Sequence, residues 1–340
     1  MKFGLLNYAY GRDRYKHGIN LGDEIQSIAA SYFLPQIDYF IDREKINKNS
    51  IDIKEKFKII MNGWYMHDPS QWPPADNIEP LLISMHFTND KELLNNVLSK
   101  EGIEYLTKYG PVGTRDIETL NLLRKYDIPS YFSGCLTLTL PPRESIEKQD
   151  YVICVDVQEK IVNYLKEKTK RTVYCISPGF KIPFFSENDK FNLAFNLLVA
   201  YQSAHAVVTT RLHTAMPCLA LGTPVLLIDK SNGNEIRFTG LTEFVNNIGE
   251  QNYLKNLDYF DIDNPIPNSN KFLKYRNDLI KRCENFTGCK HRNISPLIEP
   301  SSLEESIVRN FAVMNNVNTN LDLSKFIKKN DIIKFLKSKI

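Results

Sequence analysis

The sequence predicts an α/β fold of two Rossmann-like domains whose parallel sheets face each other across a cleft. Three observations carry this prediction. Short apolar runs alternate with helix-period segments along most of the chain, and strand–helix–strand order produces parallel sheets with right-handed crossovers. The length of 340 residues suggests two domains, at roughly 150 residues per domain. Residues 140–150, with two prolines and five charges, interrupt the pattern before a new strand begins.

The composition is that of an ordinary globular protein, with 42% hydrophobic and 24% charged residues. It excludes disordered, collagenous and fibrous classes. Lys and Arg total 43 against 40 for Asp and Glu, a net charge of +3. This field is too small to indicate nucleic acid or a bulk membrane surface as a partner. Any basic patch must therefore be local.

Seven short runs predict buried strands, because they are apolar, rich in β-branched residues and bounded by polar or Gly/Pro turns. They are Lys2–Tyr8, Phe57–Met61, Leu81–His86, Tyr151–Val155, Thr172–Ile176, Ala206–Thr210 and Pro224–Ile228. Five segments with helical periodicity follow or separate them. They are Asp23–Phe33, Asp116–Tyr126, Val157–Lys168, Lys190–Ser203 and Leu212–Leu221. In open parallel sheets ligands bind beyond the carboxyl ends of the strands, so two such halves would share a site in the gap.

The interruption at 140–150 divides the chain into a first domain, 1–145, and a second domain, 146–317. Beyond Asn264 the sequence becomes polar, and helical periodicity resumes at 273–283 and 303–314. We expect these helices to pack on the second half or to cross back to the first.

The last segment, 318–340, has six lysines against two aspartates, interleaved with apolar residues. This pattern is typical of a basic amphipathic helix, which can lie on an anionic bilayer and would give peripheral contact with the inner membrane. The alternative is a C-terminal helix whose apolar stripe docks on the core.

The N-terminus lacks the apolar region of a signal peptide, and no run approaches the ~18 apolar residues of a membrane span. Six cysteines are scattered along the chain, most of them in apolar runs. Buried thiols indicate a reducing compartment, so we expect a cytoplasmic protein. Cys283, Cys289 and His291 offer three zinc ligands, but their spacing fits no common zinc pattern. We therefore predict no metal site.

The most informative stretch is Ala206–Asp229, where a strand runs directly into a helix. Arg211 and His213 fall in the first turn of that helix, at the carboxyl edge of the sheet. Exposed N–H groups and the helix dipole favour an anion there, and a guanidinium adds a planar fork suited to carboxylate or phosphate. His213 is placed to exchange a proton with the molecule that carries the anion. The alternative is a surface cation beside a polar cap.

The connection Ala9–Asn20 is long for a loop between a strand and a helix, and such loops are commonly functional. It contains His17 among several cations. Asp23 and Gln26, three residues apart, resemble a capping pair. In the functional alternative Asp23 accepts a hydrogen bond from an acceptor hydroxyl.

Both tryptophans of the chain, Trp64 and Trp72, lie in one proline-rich loop with His67. Indole faces beside polar groups suit sugar rings, so this loop is a candidate platform for a glycan acceptor. Ordinary loop packing is the alternative. His86 ends a predicted strand and is a further candidate, or else a satisfied histidine at the edge of the core.

Several segments together resemble the polysaccharide pyruvyl transferase family. Thr210–His213 (TRLH) follows an apolar strand and precedes the Gly-Thr-Pro of 222–224, which reproduces the Arg-Leu-His region of that family. Asn20–Glu24 (NLGDE) resembles its Asn-x-Gly-Asp segment, and Pro111–Asp116 (PVGTRD) its central Arg-Asp element. Ser133–Leu138 (SGCLTL) resembles the strand that follows.

The resemblance implies the two-domain arrangement of GT-B glycosyltransferases, with the acceptor on the first domain and the donor on the second. It implies phosphoenolpyruvate as co-substrate, no other cofactor, and a pyruvate ketal formed on a sugar of a cell-surface polysaccharide, such as capsule or exopolysaccharide. For this reaction the residues singled out above take definite roles, with His213 as acid/base and Asp23 as the catalytic residues. Donor contacts are assigned to Thr210, Arg211, Arg115 and either Lys230 or Arg237. Acceptor contacts are assigned, from the residue patterns alone, to Trp64, His67, His86 and His17.

Two other functions stay open at this point. A GT-B glycosyltransferase with a nucleotide-sugar donor would share the fold, and its diphosphate would suit Arg211. A non-catalytic glycan-binding module could keep the same fold without chemistry. In each case the partner is a glycan or a lipid-linked oligosaccharide.

Overall fold

The computed structural model describes residues 1–8, 19–142, 147–180, 187–233 and 235–292. It confirms the α/β prediction, with two sheets of parallel strands and helices packed against them. Within these ranges no helix is both long and apolar enough to cross a bilayer. His17, the predicted helix at 303–314 and the basic tail at 318–340 lie outside the described residues.

The first sheet has six parallel strands in the order β3-β1-β4-β5-β6-β7. Their bounds are Lys2–Asn7 (β1), Tyr39–Asp42 (β3), Phe57–Tyr65 (β4), Ile78–Phe87 (β5), Val112–Thr114 (β6) and Ser130–Phe132 (β7). The sequence predicted β1, β4 and β5. It missed β3, β6 and β7 because runs of three or four residues are too short to show a periodicity.

The second sheet has five parallel strands in the order β13-β12-β11-β8-β9. Their bounds are Tyr151–Val155 (β8), Thr172–Ile176 (β9), Ala206–Thr209 (β11), Val225–Asp229 (β12) and Asn246–Gly249 (β13). A two-stranded antiparallel ribbon joins the halves, formed by Ile19–Asn20 (β2) and Gly179–Phe180 (β10). The sequence predicted every strand of the second sheet except the polar edge strand β13.

Nine α-helices lie among the described residues. They are Leu21–Ser31 (α1), Lys91–Val97 (α2), Lys100–Tyr109 (α3), Ile117–Lys125 (α4), Glu159–Lys168 (α5), Glu187–Ser203 (α6), Leu212–Ala220 (α7), Glu250–Lys255 (α8) and Leu273–Thr287 (α9). The predicted strand at 133–138 is wrong: β7 ends before it, and Leu136–Thr139 forms a buried 3-10 turn.

The two halves share one apolar core. Side chains of α1, including Ile25 and Ile28, belong to the same buried cluster as Phe195 of α6 and Ala215 of α7. Burial of this kind stabilises by about 25 cal/mol per Å² of apolar surface removed from water. The halves therefore meet through packed helices, and the carboxyl ends of both sheets open beside this contact.

Helix α9 returns from the second half to the first, as one of the two sequence alternatives predicted. Arg282 stacks over the Tyr131 ring at 3.9 Å, and Tyr275 packs on Phe132 at 5.3 Å. The Lys58 ammonium donates to the carbonyl oxygen of Phe286 at 2.8 Å. The helix thus joins the two halves on the side where β7 ends the first sheet.

Candidate active site between the two halves

A pocket of about 450 Å³ opens where the two halves meet. This volume lies within the range of ~300–1,000 Å³ that is typical of small-molecule sites. Its lining residues come from the start of α1, from the turn after β6, from the start of α7 and from the loop after β12. They are Asn20, Arg115, Thr210, Arg211, Leu212, His213, Asp229, Lys230, Ser231, Glu235, Arg237 and Phe238. Four of these side chains are cations.

Helix α7 points its N-terminus into the pocket. Arg211 is its N-cap residue, with extended backbone angles, and the Arg211 side chain makes no capping hydrogen bond. The first amides of a helix have no partner inside the helix, so they remain available to an anion. Leu212 and His213, the first two residues of α7, both line the pocket.

Asp156 orients the Arg211 guanidinium, a contact that no sequence pattern indicated. Its Oδ2 accepts a hydrogen bond from Arg211 Nε at 2.6 Å. Asp156 follows β8 directly and has a positive φ of 54°, and its carbonyl oxygen accepts from Thr210 Oγ1 at 3.1 Å. One edge of the guanidinium is thereby fixed. The opposite edge, with the two terminal nitrogens, is left for a ligand.

Arg115 is the buried cation of the pocket. It follows β6, and its backbone N–H donates to the Met85 carbonyl oxygen at 2.8 Å. Only 1% of the residue is exposed, and its Nε and Nη1 are buried with no hydrogen-bond partner among the described residues. A buried charge is costly unless it is paired. An unpaired guanidinium at a pocket wall therefore points to an anionic ligand.

The loop after β12 supplies the remaining two cations. Glu235 holds Arg237 through two hydrogen bonds, at 2.8 and 2.6 Å, so this arginine is oriented but partly neutralised. Asp229 folds the loop by accepting from the amides of Ser231 and Gly233 at 2.8 and 2.6 Å. Lys230 is exposed beside it. Both residues that the sequence offered as the third donor cation thus line the same pocket.

His213 is held between the halves. A Cβ atom added at Gly22 would lie 2.7 Å from His213 Cβ, so only a glycine allows α1 to approach α7 this closely. Gln26 Nε2 lies 3.5 Å from His213 Nδ1. Burial, then the charges of Arg115, Arg237 and Arg211, hold the pKa of His213 well below its ordinary value of 6.5. The ring is therefore neutral near pH 7.

A buried dyad lies next to Arg115. His86 Nδ1 contacts Asp116 Oδ2 at 2.6 Å, and both side chains are almost fully buried. Asp116 also caps α4 by accepting from the Thr119 amide at 2.8 Å. Burial lowers the pKa of His86, against the raising effect of Asp116. The neutral ring then donates from Nδ1 to Asp116, and its Nε2 is buried without a partner among the described residues.

Trp64 and His67 lie outside the pocket lining. Their rings are 4.4 Å apart, and Arg43 stacks over the Trp64 indole at 4.9 Å. Trp64 is paired in register with His86 in the neighbouring strand. Met85, which precedes His86, is paired in turn with Thr114, which precedes Arg115. The predicted acceptor residues Trp64 and His86 thus share the carboxyl edge of the first sheet with a pocket cation.

Two expectations about single residues are wrong. Trp72 is not part of a sugar platform, because it is buried and packs edge-on against Phe87 at 5.4 Å. Asp23 is not the N-cap of α1: Asn20 has that position, and its side chain accepts from the Gly22 amide at 3.2 Å. Asp23 lies in the first turn of the helix and does not line the pocket.

Across the described ranges, no three His, Cys, Asp or Glu side chains are grouped so that they could hold a metal ion. Cys283 is buried in the shared core, and the His291 ring packs on Phe33 at 4.7 Å. These two residues therefore serve packing.

The model of the family described as "Polysaccharide pyruvyl transferase" matches residues 20–232. That range is more than half of the chain. The chain belongs to this family. The match begins at Asn20, the N-cap of α1, and ends at Asn232, in the loop after β12. It therefore includes all the residues that line the pocket except Glu235, Arg237 and Phe238. The family resemblance seen in the sequence is confirmed, and the family is one of transferases.

Curated proteins and solved structures give two further comparisons. No curated protein matches the sequence. Among solved structures, a functionally uncharacterized protein from Klebsiella pneumoniae subsp. pneumoniae is similar, with 13% identity and a TM-score of 0.38. The similarity covers 70% of this chain and 87% of that chain.

Proposed function

We propose that this family member transfers the pyruvate group of phosphoenolpyruvate to a sugar and forms a pyruvate ketal. The observation that carries the proposal is the buried guanidinium of Arg115, whose Nε and Nη1 have no partner among the described residues. An anionic group of a ligand bound in the pocket would offset the cost of this charge. A planar carboxylate suits the fork, because it can accept two parallel hydrogen bonds.

The other cations suit the second charge of the same donor. Phosphoenolpyruvate carries a carboxylate and a phosphate close together. Arg211, Lys230 and Arg237 lie nearer to solvent than Arg115 and line the same pocket as the N-terminus of α7. A phosphate at this helix end would be stabilised by the dipole and by the first-turn amides. The pocket therefore offers one deep and one shallow anion position.

The reaction follows from that placement. A sugar hydroxyl attacks the carbon that bears the phosphate and gives up its proton, and a proton is added to the methylene carbon, which becomes a methyl group, so that this step is neutral in protons. A second hydroxyl of the sugar then attacks the same carbon, and the carbon–oxygen bond to phosphate breaks. The second hydroxyl's proton leaves with inorganic phosphate or the medium. Cations stabilise the departing charge, and His213 is the acid/base candidate.

The acceptor belongs to the first half in this proposal. Trp64 is half-buried, with Arg43 stacked over its ring and the His67 ring beside it. His86 is its register partner in the neighbouring strand. A sugar of a cell-surface polysaccharide precursor, free or lipid-linked, would stack there with its hydroxyls toward the pocket. The proposal puts the enzyme in the cytoplasm, where phosphoenolpyruvate is made. The tail 318–340 would bring it to lipid-linked acceptors at the inner membrane.

Donor identity separates this proposal from its rivals. Phosphoenolpyruvate should raise the Tm, whereas UDP and GDP should not, and incubation with aryl or lipid-linked glycosides should release phosphate and add the mass of a pyruvate ketal. Arg115→Met should lose the shift, and Arg124→Met, at an exposed position of α4, should keep it. Stabilisation by UDP or GDP alone would favour a nucleotide-sugar glycosyltransferase. Glycan binding without transfer would favour a binding module.

A further inference from the structure

The side chain of Gln26 is buried where the two halves meet, and burial of a polar group there calls for a compensating interaction. Gln26 is fully buried in α1, and its Oε1 has no hydrogen-bond partner among the described residues. Burying an amide costs ~1–3 kcal/mol unless hydrogen bonds replace its water. A leucine would fill this position without that cost.

The one hydrogen bond that the Gln26 side chain makes within the described ranges is with His213. Its Nε2 lies 3.5 Å from Nδ1 of the ring, at the long end of the range, as is common before a ligand tightens a site. On its other side Gln26 Oε1 lies against Gly63: a Cβ atom added there would be 2.7 Å from that oxygen. Gly63 has a positive φ of 98°, which also favours glycine. The amide is thus confined between β4 and the imidazole.

The surroundings of the ring leave one nitrogen for chemistry. Gly22 lies against Cβ, Cγ and Cδ2 of His213, and the Gln26 amide is within hydrogen-bond distance of Nδ1. Nε2 has no partner among the described residues, and His213 lines the pocket. Arg115, Arg211, Arg237 and His86 are the ionisable groups whose charges act on the ring, and each of them disfavours its protonation.

We propose that Gln26 is a positioning residue that fixes the neutral His213 as the tautomer with hydrogen on Nε2. The amide N–H of Gln26 donates to Nδ1, so Nδ1 must keep its lone pair. Nε2–H then faces the pocket and donates a hydrogen bond to an anionic oxygen of the bound phosphoenolpyruvate. His213 therefore begins the reaction as a hydrogen donor at Nε2. It can accept a hydroxyl proton at Nε2 only after that hydrogen has left. The kinetic consequence rests on the proposed function; the tautomer does not.

Nitrogen-15 NMR of the histidine-labelled protein tests the tautomer without any activity assay. Protonated and bare ring nitrogens resonate far apart, and the His213 signals are those that disappear in His213→Gln. We expect hydrogen on Nε2 and a bare Nδ1 at neutral pH. Hydrogen on Nδ1 in the unaltered protein would overturn the proposal, whatever the activity proves to be.

Two variants at Gln26 give the kinetic readout. Gln26→Leu should mix the tautomers and lower kcat about tenfold or more, with little change in KM for phosphoenolpyruvate. Gln26→Glu places a carboxylate at Nδ1, so it should draw the hydrogen to Nδ1, raise the pKa of His213, and move the acid limb of the pH–rate profile up by about one unit or more.

Ser31→Ala, which removes another buried polar group of α1, is the matched control and should change neither the tautomer nor the pH profile. A Gln26→Leu protein with an unchanged tautomer and pH profile would contradict the proposal. If the tautomer is as expected but no pyruvyl transfer occurs with any acceptor, the proposed function fails and the role of Gln26 stands.

Discussion

Gly22 of α1 and His213 of α7 are in such close contact that no side chain fits between them. A Cβ atom at Gly22 would lie 2.7 Å from Cβ and 2.8 Å from Cγ of His213. The two residues belong to different halves, and each stands in the first turn of its helix. The glycine thereby lets the first helix of one half set the position of the pocket histidine in the other.

The first prediction concerns this contact. Gly→Ala inside a helix ordinarily stabilises by about 0.5–1 kcal/mol. Gly22→Ala should instead lower the free energy of unfolding by about 1–3 kcal/mol, because overpacking forces the helices apart. It should also lower kcat, since the His213 ring must move. Denaturant unfolding and steady-state kinetics measure the two effects.

A double-mutant cycle supplies the control. In a His213→Gly background the atoms that the new methyl group would meet are gone, so Gly22→Ala should cost much less there. A stabilised Gly22→Ala single variant would show that the two helices do not meet as described.

The second prediction concerns the unpaired charge of Arg115. Arg115→Met keeps a long side chain and removes a buried cation that has no partner for its Nε and Nη1 among the described residues. We expect the free energy of unfolding to rise by about 1 kcal/mol or more, while affinity for phosphoenolpyruvate falls at least tenfold. Thermal unfolding and titration calorimetry measure the two changes.

Arg211→Met is the comparison within the same pocket. The Arg211 side chain is half exposed and paired with Asp156. Its loss should therefore weaken binding of the anion without raising the free energy of unfolding. If Arg115→Met proved strongly destabilised, the guanidinium would have a structural partner, and the argument for a ligand would fail.

The third prediction concerns the geometry of Arg211. Arg211→Lys should raise KM for the donor about tenfold, because an ammonium cannot bind Asp156 with one edge and an anion with the other. Lys230→Arg, at an exposed position of the same pocket, should be nearly neutral. Equal donor KM and kcat in Arg211→Lys and the unaltered protein would refute this role.

The fourth prediction concerns protons. Arg115, Arg237 and Arg211 depress the pKa of His213, and a bound anion offsets their charge, so the pKa of His213 should be higher in the complex than in the free protein. Between these two values binding takes up a proton. Affinity for sulfate, which does not titrate near neutral pH, should therefore increase as pH falls through the pKa of the complex.

Calorimetry in two buffers of different ionisation enthalpy measures the proton uptake directly. His213→Gln should remove most of it, and any remainder should come from His86, whose pKa Arg115 and Arg237 also lower. Proton release on sulfate binding would contradict the prediction.

Much of the pocket could be predicted because strand ends are a local property. Thr210 and Arg211 follow β11, Arg115 follows β6 and Lys230 follows β12, and apolar runs mark all but one of these strands. Since the carboxyl ends of parallel strands meet at one edge, residues that follow them converge. Their convergence is now visible, and their catalytic roles stay predictions.

The partners of these residues could not be predicted, because they are made by contacts across the chain. Gln26 and His213 are 187 positions apart, and Arg211 and Asp156 are 55 apart. The burial of Trp72 could not be predicted for the same reason. The sequence shows only an indole beside prolines, whereas the packing against Phe87 makes it a core residue.

The sequence by itself determined the fold class, the family and which cations gather at the pocket, since hydrophobic periodicity and strand-to-helix turns are written into neighbouring residues. The tertiary structure alone decided which of those cations is desolvated, which histidine nitrogen Gln26 contacts, and where a glycine is required. Those properties depend on what surrounds an atom in space. Arg115 and Arg211 both follow a strand of the pocket edge, yet one is 1% exposed and the side chain of the other is 49% exposed.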